Sequence, residues 1–383
     1  MSVSGPLSGV VVADLSRILA GPYCTLLLAE LGARVIKIET PGTGDDSRHY
    51  GPFVNGKSAY FVSINRGKES IALDLKKPED KAILEAILGK ADVLVENFRP
   101  GTMEKLGFGW ERLHAAHPRL IYAAASGFGH SGPYSQHPAY DMVVQGLGGI
   151  MSINGHPGQP PARVGVSVGD LGAGLYTAIA INAALYHRAM TGEARKVDVG
   201  MLDCQMSLLE NAIVRYNATG KVPGPLGARH PAITPFEPYQ TADGLLIVAG
   251  GNDSLFARLA AALGLDALPT DPRFKTNDLR CQNADALKVA LESVLRSKPM
   301  DHWVEVLEAA GVPCGPINTI DRALNHPQVA ARNMLVTVDD PVTGPIKVAG
   351  NPLKIEGFPD AGTRAPAPEL DGDRARILAE LGL

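Results

Sequence analysis

The sequence predicts an α/β protein whose larger part is a doubly wound, Rossmann-like parallel sheet. Two observations predict it. Short continuous apolar runs alternate with helical patterns through the first third of the chain, and such runs suit strands buried on both faces. At 383 residues the chain is also too long for one ordinary core, and its 45% hydrophobic content can fill more than one.

Each element follows in order. Gly9 to Asp14 reads as the first strand. A helical pattern opens at Gly21-Pro22, runs through Leu26, Leu27, Leu28 and Leu31, and stops at Gly32. Ala33 to Glu39 is the next strand, which completes a β-α-β unit. The pattern repeats with strands at Ser70–Asp74, Asp92–Glu96 and Leu120–Ala125, and with helices at Pro78–Gly89 and Trp110–Ala116. Ser126 to Gly169 is rich in Gly and Pro and reads as loop, with a short helix over Tyr140–Gly149. A buried helix follows from Leu171, then a strand at Lys196–Val199 and a helix over Leu202–Tyr216. Asn217 to Pro235 has the composition of a linker. Beyond it, a hairpin around Ala242-Asp-Gly244 and helices at Ser254–Leu263, Asn283–Ser297 and Met300–Ala310 predict a smaller α+β domain. Short strands at Leu335–Val338 and Ile346–Val348 and a helix at Asp373–Leu381 close the chain.

Composition removes several function classes. The formal net charge is -4 and no Lys/Arg run is dense enough for a nucleic-acid footprint. Cys24, Cys204, Cys281 and Cys314 are far apart and lack zinc spacing, which argues against a disulfide framework or a metal site. His114 and His117 sit three apart on an expected surface helix with no acidic partner expected nearby, so they read as a solvated helix face. Met1 to Gly9 lacks the basic and apolar regions of a signal peptide, and Leu171–Tyr186 is short and rich in Gly, Ala and Asn for a bilayer span. The expected compartment is the cytoplasm, with no membrane partner.

Dinucleotide binding is the first chemistry to test. The turn Leu15-Ser-Arg-Ile-Leu-Ala-Gly-Pro22 carries one Gly where that fingerprint needs three, and Asp45-Asp46 after Gly42-Thr-Gly44 would repel phosphate. Gly165-Val-Ser167-Val-Gly169 has the spacing of a nucleophile elbow ahead of a helix, which leaves a hydrolase open. Asp170, just beyond, reads locally as an ordinary helix N-cap.

Several segments together resemble the family III CoA-transferases. They are Pro6-Leu-Ser-Gly with Val12-Ala-Asp-Leu-Ser and Ala20-Gly-Pro22, then Leu31-Gly-Ala-Arg-Val-Ile-Lys-Ile-Glu39, and Asn65-Arg-Gly-Lys68 through Leu73-Asp-Leu-Lys76. Val95-Glu-Asn-Phe-Arg-Pro-Gly101 is the most specific, joined by Tyr140-Asp141 with Gln145, Val168-Gly-Asp170 and Gly311-Val-Pro-Cys-Gly-Pro316. The resemblance implies a large Rossmann-like CoA-binding domain over residues 1–205, a linker over 206–232, a small α+β domain over 233–317, and a return over 318–383 that completes the large domain. It also implies an interlocked homodimer.

By the same resemblance, Asp170 is the carboxylate that attacks the thioester. It forms a mixed anhydride and then an aspartyl-CoA thioester before an acceptor carboxylate repeats the exchange. A carboxylate suits such covalent catalysis, and a helix start helps hold developing negative charge. CoA binding is expected at Arg17, Ile18, Leu73, Lys76, Asn97, Phe98, Arg99, Lys105 and Leu106, with Leu19, Tyr140, Gly250 and Gly251 bordering the thioester. No tightly bound cofactor and no metal is implied, the substrates being CoA thioesters and carboxylic acids. An α-methylacyl-CoA racemase on the same fold would carry a His where this chain has Tyr140, although His137 is near. A non-catalytic CoA-binding protein is the third reading. The segments around Gly250–Phe256, Asp271–Asn277 and Cys314 resemble the succinyl-CoA:dicarboxylate branch. Arg48, Arg66, Arg163 and Arg229-His230 are the cations available for a distal carboxylate.

Overall fold

The structure is a computed structural model that describes residues 4–383, so the first three residues of the Met1–Gly9 segment lie outside it. Contacts divide the chain into two compact units. The first comprises residues up to Ile150, Arg163–Lys221 and His326–Leu383; the second comprises Met151–Ala162 and Val222–Asn325.

The first unit is built on six parallel strands: β1 (Val11–Asp14), β2 (Arg34–Glu39), β3 (Glu69–Ala72), β4 (Val93–Glu96), β5 (Ile121–Ser126) and β6 (Lys196–Gly200). They lie in the order β3-β2-β1-β4-β5-β6, that of a doubly wound dinucleotide-type sheet. The strand direction reverses its march at β1/β4, so a crevice opens there beyond the carboxyl ends.

Helices cover both faces. Helices α1 (Ala20–Glu30), α2 (Ala59–Asn65), α3 (Pro78–Leu88), α4 (Thr102–Leu106), α5 (Trp110–Ala116), α6 (Asp141–Leu147), α7 (Val168–Thr191), α8 (Met201–Leu208) and α9 (Glu210–Thr219) belong to this unit. On one face Leu84, Ile87, Leu88, Leu113 and Phe108 pack on Ala13, Ile38 and Leu94. On the other, Leu27 and Leu28 of α1 and Ala178 and Ile181 of α7 pack on Val12, Val35, Val93 and Val95. Helices α1 and α7 meet through small residues: a Cβ on Gly174 would come within 2.8 Å of the Ala20 carbonyl oxygen.

Helix α7 runs 24 residues and is long and apolar enough to cross a membrane by length and composition. The buried helix expected there is buried on one face only. Leu175, Ile179, Tyr186 and Met190 form a stripe on its other face, and Ile179, Tyr186 and Met190 are each more than 60% exposed.

The sequence pattern passed over α2, whose Tyr-Phe-Val-Ser-Ile run has strand-like composition. Ser58 starts it as a helix by accepting the Phe61 amide at 3.0 Å, and Phe61 and Val62 then bury against the C-terminal sheet. The helix expected over Leu202–Tyr216 forms as two, α8 and α9, so the first part of the 206–232 segment is helical up to Thr219.

In the second unit, β7 (Phe236–Gln240), β8 (Leu245–Ala249) and β9 (Cys314–Pro316) form an antiparallel sheet against helices at Asp253–Ala262, Ala284–Leu295 and Met300–Ala309. Its core joins Tyr239, Leu246, Phe256, Leu287, Leu291 and Trp303. The returning chain adds β10 (Leu335–Asp340), β11 (Gly344–Ala349), β12 (Thr363–Arg364) and a helix at Arg374–Leu381 to the first unit, where Ile377 joins the core. Glu30 ties the two chain ends together, its carboxylate taking Arg66 and Arg364 each at 2.8 Å with all three side chains about 95% buried.

Candidate active site

The loop after β1 is set by buried charge. Asp14, wholly buried, receives the Ser16 amide at 3.0 Å, the Ser16 and Thr25 hydroxyls and the Lys68 ammonium at 3.1 Å. Burial opposes its ionisation, but the Lys68 and Lys37 charges and the hydroxyl bonds outweigh it and hold the carboxyl below the ordinary aspartate value. Lys37, equally buried, bonds the Ser16 carbonyl at 2.7 Å and pairs with Asp45 at 2.7 Å. Asp45 in turn accepts the Ile18 amide at 3.0 Å and fixes Ile18 at φ 69°, a conformation that a β-branched residue adopts only when its surroundings impose it. Asp45 is therefore a neutralised strut and presents no bare charge to a phosphate, contrary to the sequence expectation.

Beside this loop lies a cleft of about 490 Å³ at the β1/β4 switch point. Arg17, Leu73, Lys76, Phe98 and Leu106 all line it, and Lys77 adds a further cation beside Arg17 and Lys76. Arg17 lies over the Phe98 ring at 5.4 Å. Asn97 holds the Arg17 backbone at both ends, accepting its amide at 2.9 Å and donating to its carbonyl at 2.8 Å. Arg99 and Lys105 are exposed and stand outside the cleft wall. A larger cavity of about 620 Å³, around Glu30, Arg34, Arg66, Glu69 and Arg376, holds charges already paired with one another; of the residues singled out in the sequence it contains Arg66, which is bound to Glu30, and neither Asp170 nor the expected CoA-binding residues.

Asp170 occupies the first turn of α7. Ser167 holds the N-cap position, so the ordinary-cap reading of Asp170 fails. No strand enters the turn before Ser167, which removes the nucleophile-elbow geometry and with it the hydrolase. The Asp170 carboxylate is largely buried and makes no ion pair or hydrogen bond among the described residues. Burial, reinforced by the charge of Asp141, pushes it up to about 7.

Asp141, at the start of α6, accepts the Gly169 amide at 2.8 Å and the Gln145 side-chain amide at 2.8 Å. Gln145 also accepts the Val164 amide at 2.8 Å, and Gln205, in the amide orientation that satisfies its neighbours, accepts the Gln145 backbone amide at 3.2 Å. This chain of bonds fixes the loop from Val164 to Gly169 and aims α7.

Tyr60 is half-buried near Asp170. Burial and then the Asp170 charge push its phenol up to about 12, so it stays protonated as a donor. Tyr50 lies 6.1 Å from Tyr60, ring to ring. Burial, then Asp46 and then Tyr140, raise the Tyr50 phenol as well. Tyr140 is 68% exposed, and Leu19 precedes α1 beside Ile18. Tyr50, Tyr60 and Gln205 were not singled out in the sequence, because the helix that carries Tyr60 was not recognised; the Ser58 cap was its available signal.

Gly250 and Gly251 lie in the second unit at the end of β8. A Cβ on Gly251 would fall 2.0 Å from an Ile233 methyl, and its carbonyl accepts Arg280 at 3.1 Å. His137 is exposed and tilts against Tyr134 at 4.5 Å. His117 does have an acidic partner, Glu85 at 2.7 Å, and His114 stacks on Trp110 at 4.5 Å. Among the described residues no group of three His, Cys, Asp or Glu is placed to hold a metal ion.

Comparison with known proteins agrees with this geometry. The model of CoA-transferase family III matches residues 7–374. An acetyl-CoA:oxalate CoA-transferase of Acetobacter aceti is 48% identical over 98% of this chain and 96% of its own length. A succinate–glutarate CoA-transferase of Agrobacterium fabrum is 40% identical over 98% and 96%. The crystal structure of a CaiB/BaiF family protein from Brucella suis superposes with a TM-score of 0.85 at 39% identity, covering 99% of this chain and all of that one. A switch-point cleft edged with cations, a poorly solvated carboxylate at the start of α7 and whole-length kinship lead to one assignment: the chain is an enzyme of CoA-transferase family III.

Proposed function

We infer that the protein moves CoA from succinyl-CoA to a dicarboxylic acid through covalent intermediates on Asp170. The observation that carries this reading is a buried, uncompensated carboxylate at a helix start. Such a group is basic and poorly solvated, hence a good nucleophile, and it lies close to a phenol able to donate to a developing oxyanion. The Asp170 carboxylate adds to the thioester carbonyl and the C–S bond breaks, leaving a mixed anhydride and CoA thiolate. The thiolate then attacks the aspartyl carbonyl, giving an aspartyl thioester and free donor acid. The acceptor carboxylate attacks that thioester and releases the thiolate again, which takes the acceptor's acyl group and restores the Asp170 carboxylate. Water would hydrolyse each intermediate, and half-burial of Tyr60 and burial of Asp170 limit its access.

The cations support this acceptor class. Arg48 is bound to Glu39, Arg66 to Glu30 and Arg229 to Glu237. His230 stacks on Phe236 at 5.2 Å. Among the described residues, Arg163 alone of the four candidate arginines has no carboxylate partner. Its guanidinium bonds only the Val164 and Gly165 carbonyls of the loop that leads into Asp170. It is the cation suited to a distal carboxylate, and the relatives named for glutarate and for oxalate both act on dicarboxylates.

The exposed apolar stripe of α7 supports a homodimer, because a patch of that kind is unusual on a monomer's surface. CoA binding is assigned to the switch-point cleft. The test is to incubate the protein with succinyl-CoA or acetyl-CoA and a panel of mono- and dicarboxylic acids, follow new acyl-CoA by mass spectrometry, and run Asp170→Ala alongside. New dicarboxyl-CoA that disappears in the variant supports the reading. Transfer that survives in Asp170→Ala refutes the nucleophile, and transfer to monocarboxylates alone refutes the acceptor class.

A further inference from the structure

Glu96 ends β4 one residue before the Asn97-Phe98-Arg99 segment and is 2% exposed. One carboxylate oxygen accepts the Phe98 amide at 2.7 Å; the other accepts the Tyr122 hydroxyl from β5 at 3.1 Å. His130, on the loop after β5, brings its Nε2 to 3.6 Å of the same oxygen, and that buried nitrogen has no hydrogen-bond partner among the described residues. Lys196 of β6 reaches the His130 Nδ1 at 3.1 Å and lies over the Tyr122 ring, while the His130 backbone amide is held by Asp198. Glu104 of α4 acts on Glu96 through its charge. These are the titratable and charged groups that face Glu96 from β5, the following loop, β6 and α4. None of them touches the Asp170 network, and the reaction sequence above uses none of them.

A carboxylate in such a place has an evident mechanical output. Phe98 lines the switch-point cleft and carries the Arg17 guanidinium on its ring. Its backbone amide is fixed by Glu96, so the cleft wall is only as well placed as that bond. We propose that Glu96 is a positioning residue for CoA: it holds the wall against which the nucleotide end packs, and its ionisation makes CoA affinity depend on pH. This rests on the assignment of that cleft to CoA.

The direction of the effect follows from the bond. An ionised acceptor holds an amide N–H about twice as strongly as a neutral one. Burial pushes the Glu96 carboxyl up to about 7, opposed by the Phe98 and Tyr122 bonds and by Lys196, and reinforced by Glu104. The group therefore gains its charge as pH rises through neutrality, and the wall tightens with it.

Glu96→Gln keeps shape and a neutral acceptor but cannot ionise. CoA binding to the whole protein should be measured calorimetrically from pH 6 to pH 8.5, together with kcat and KM for the acyl-CoA. CoA's own phosphate titrates near pH ~6, so the quantity read is the difference between wild type and variant. Above pH 8 the variant should bind CoA about fivefold more weakly, with kcat within twofold, and the two proteins should converge at pH 6. Tyr122→Phe removes a bond that favours the charged carboxylate, so it should move the wild-type midpoint to higher pH; it serves if Glu96→Gln folds poorly. A merely structural Glu96 would lower thermal stability and kcat together and leave the pH profile parallel to wild type, which would overturn the proposal. Wild type that binds no CoA would overturn the cleft assignment and the proposal with it; CoA bound by both proteins with identical pH profiles would overturn the proposal alone.

Discussion

Asp170→Asn should make the folded protein more stable while it abolishes transfer. The folded carboxyl stands at about 7 against an ordinary value of 3.8. A raised folded value means that folding favours the protonated form. The stability it allows is therefore fully present below pH 3.8 and is lost as pH rises through about 7. At about 1.4 kcal/mol per unit, wild type gives up on the order of 4 kcal/mol by pH 8, of which roughly 1.7 is already lost at pH 5. Asparagine carries no charge, so its advantage over wild type should grow by about 2.5 kcal/mol between pH 5 and pH 8 and then level off. Guanidinium unfolding of both proteins at pH 5, 6, 7 and 8, with equal slopes, measures this. An advantage that is flat with pH, or largest at pH 5, would refute the claim that Asp170 is a strained buried carboxylate.

Asp141→Asn keeps an acceptor for the Gly169 amide but removes the second carboxylate, so the acid limb of the kcat/KM profile, centred near pH 7 in wild type, should move to lower pH. Glu30→Gln leaves Arg66 and Arg364 buried without their partner and should cost about 3–5 kcal/mol in denaturant unfolding. Arg163→Gln should raise KM about tenfold for dicarboxylate acceptors and for succinyl-CoA, whose acyl group ends in the same carboxylate, while leaving KM for acetyl-CoA within twofold, read from initial rates. Ile179→Glu places a charge in the α7 stripe and should convert a dimer to monomers in light scattering.

The parallel sheet was legible because its strands are buried on both faces and read as apolar runs; β1, β2, β4 and β5 appear where those runs occur. The cleft residues Arg17, Leu73, Lys76, Phe98 and Leu106 were legible through resemblance, since cleft membership depends on strand order, which periodicity does not report. Helix α2 was hidden because β-branched and aromatic residues favour strands locally, whereas its burial against β10 and β11 decides in favour of helix. Asp45 was misjudged for a related reason. A carboxylate's meaning depends on whether a lysine such as Lys37 stands behind it, and that neighbour comes from another strand. The elbow spacing at Ser167 failed on backbone geometry, which a spacing rule does not contain.

The Glu30 carboxylate joins residues 334 positions apart, since Arg364 must arrive before the buried triad with Arg66 is complete. At a synthesis rate of ~5–20 residues per second, the ribosome needs on the order of 20–70 seconds to deliver Arg364 after Glu30. During that interval the nascent first unit carries an Arg66–Glu30 pair without its second cation and without the β10–β12 cover. Residues 222–325 emerge within this window and can assemble their own core first. The first unit, most of which is translated early, therefore cannot complete this buried triad until nearly the whole chain has been made.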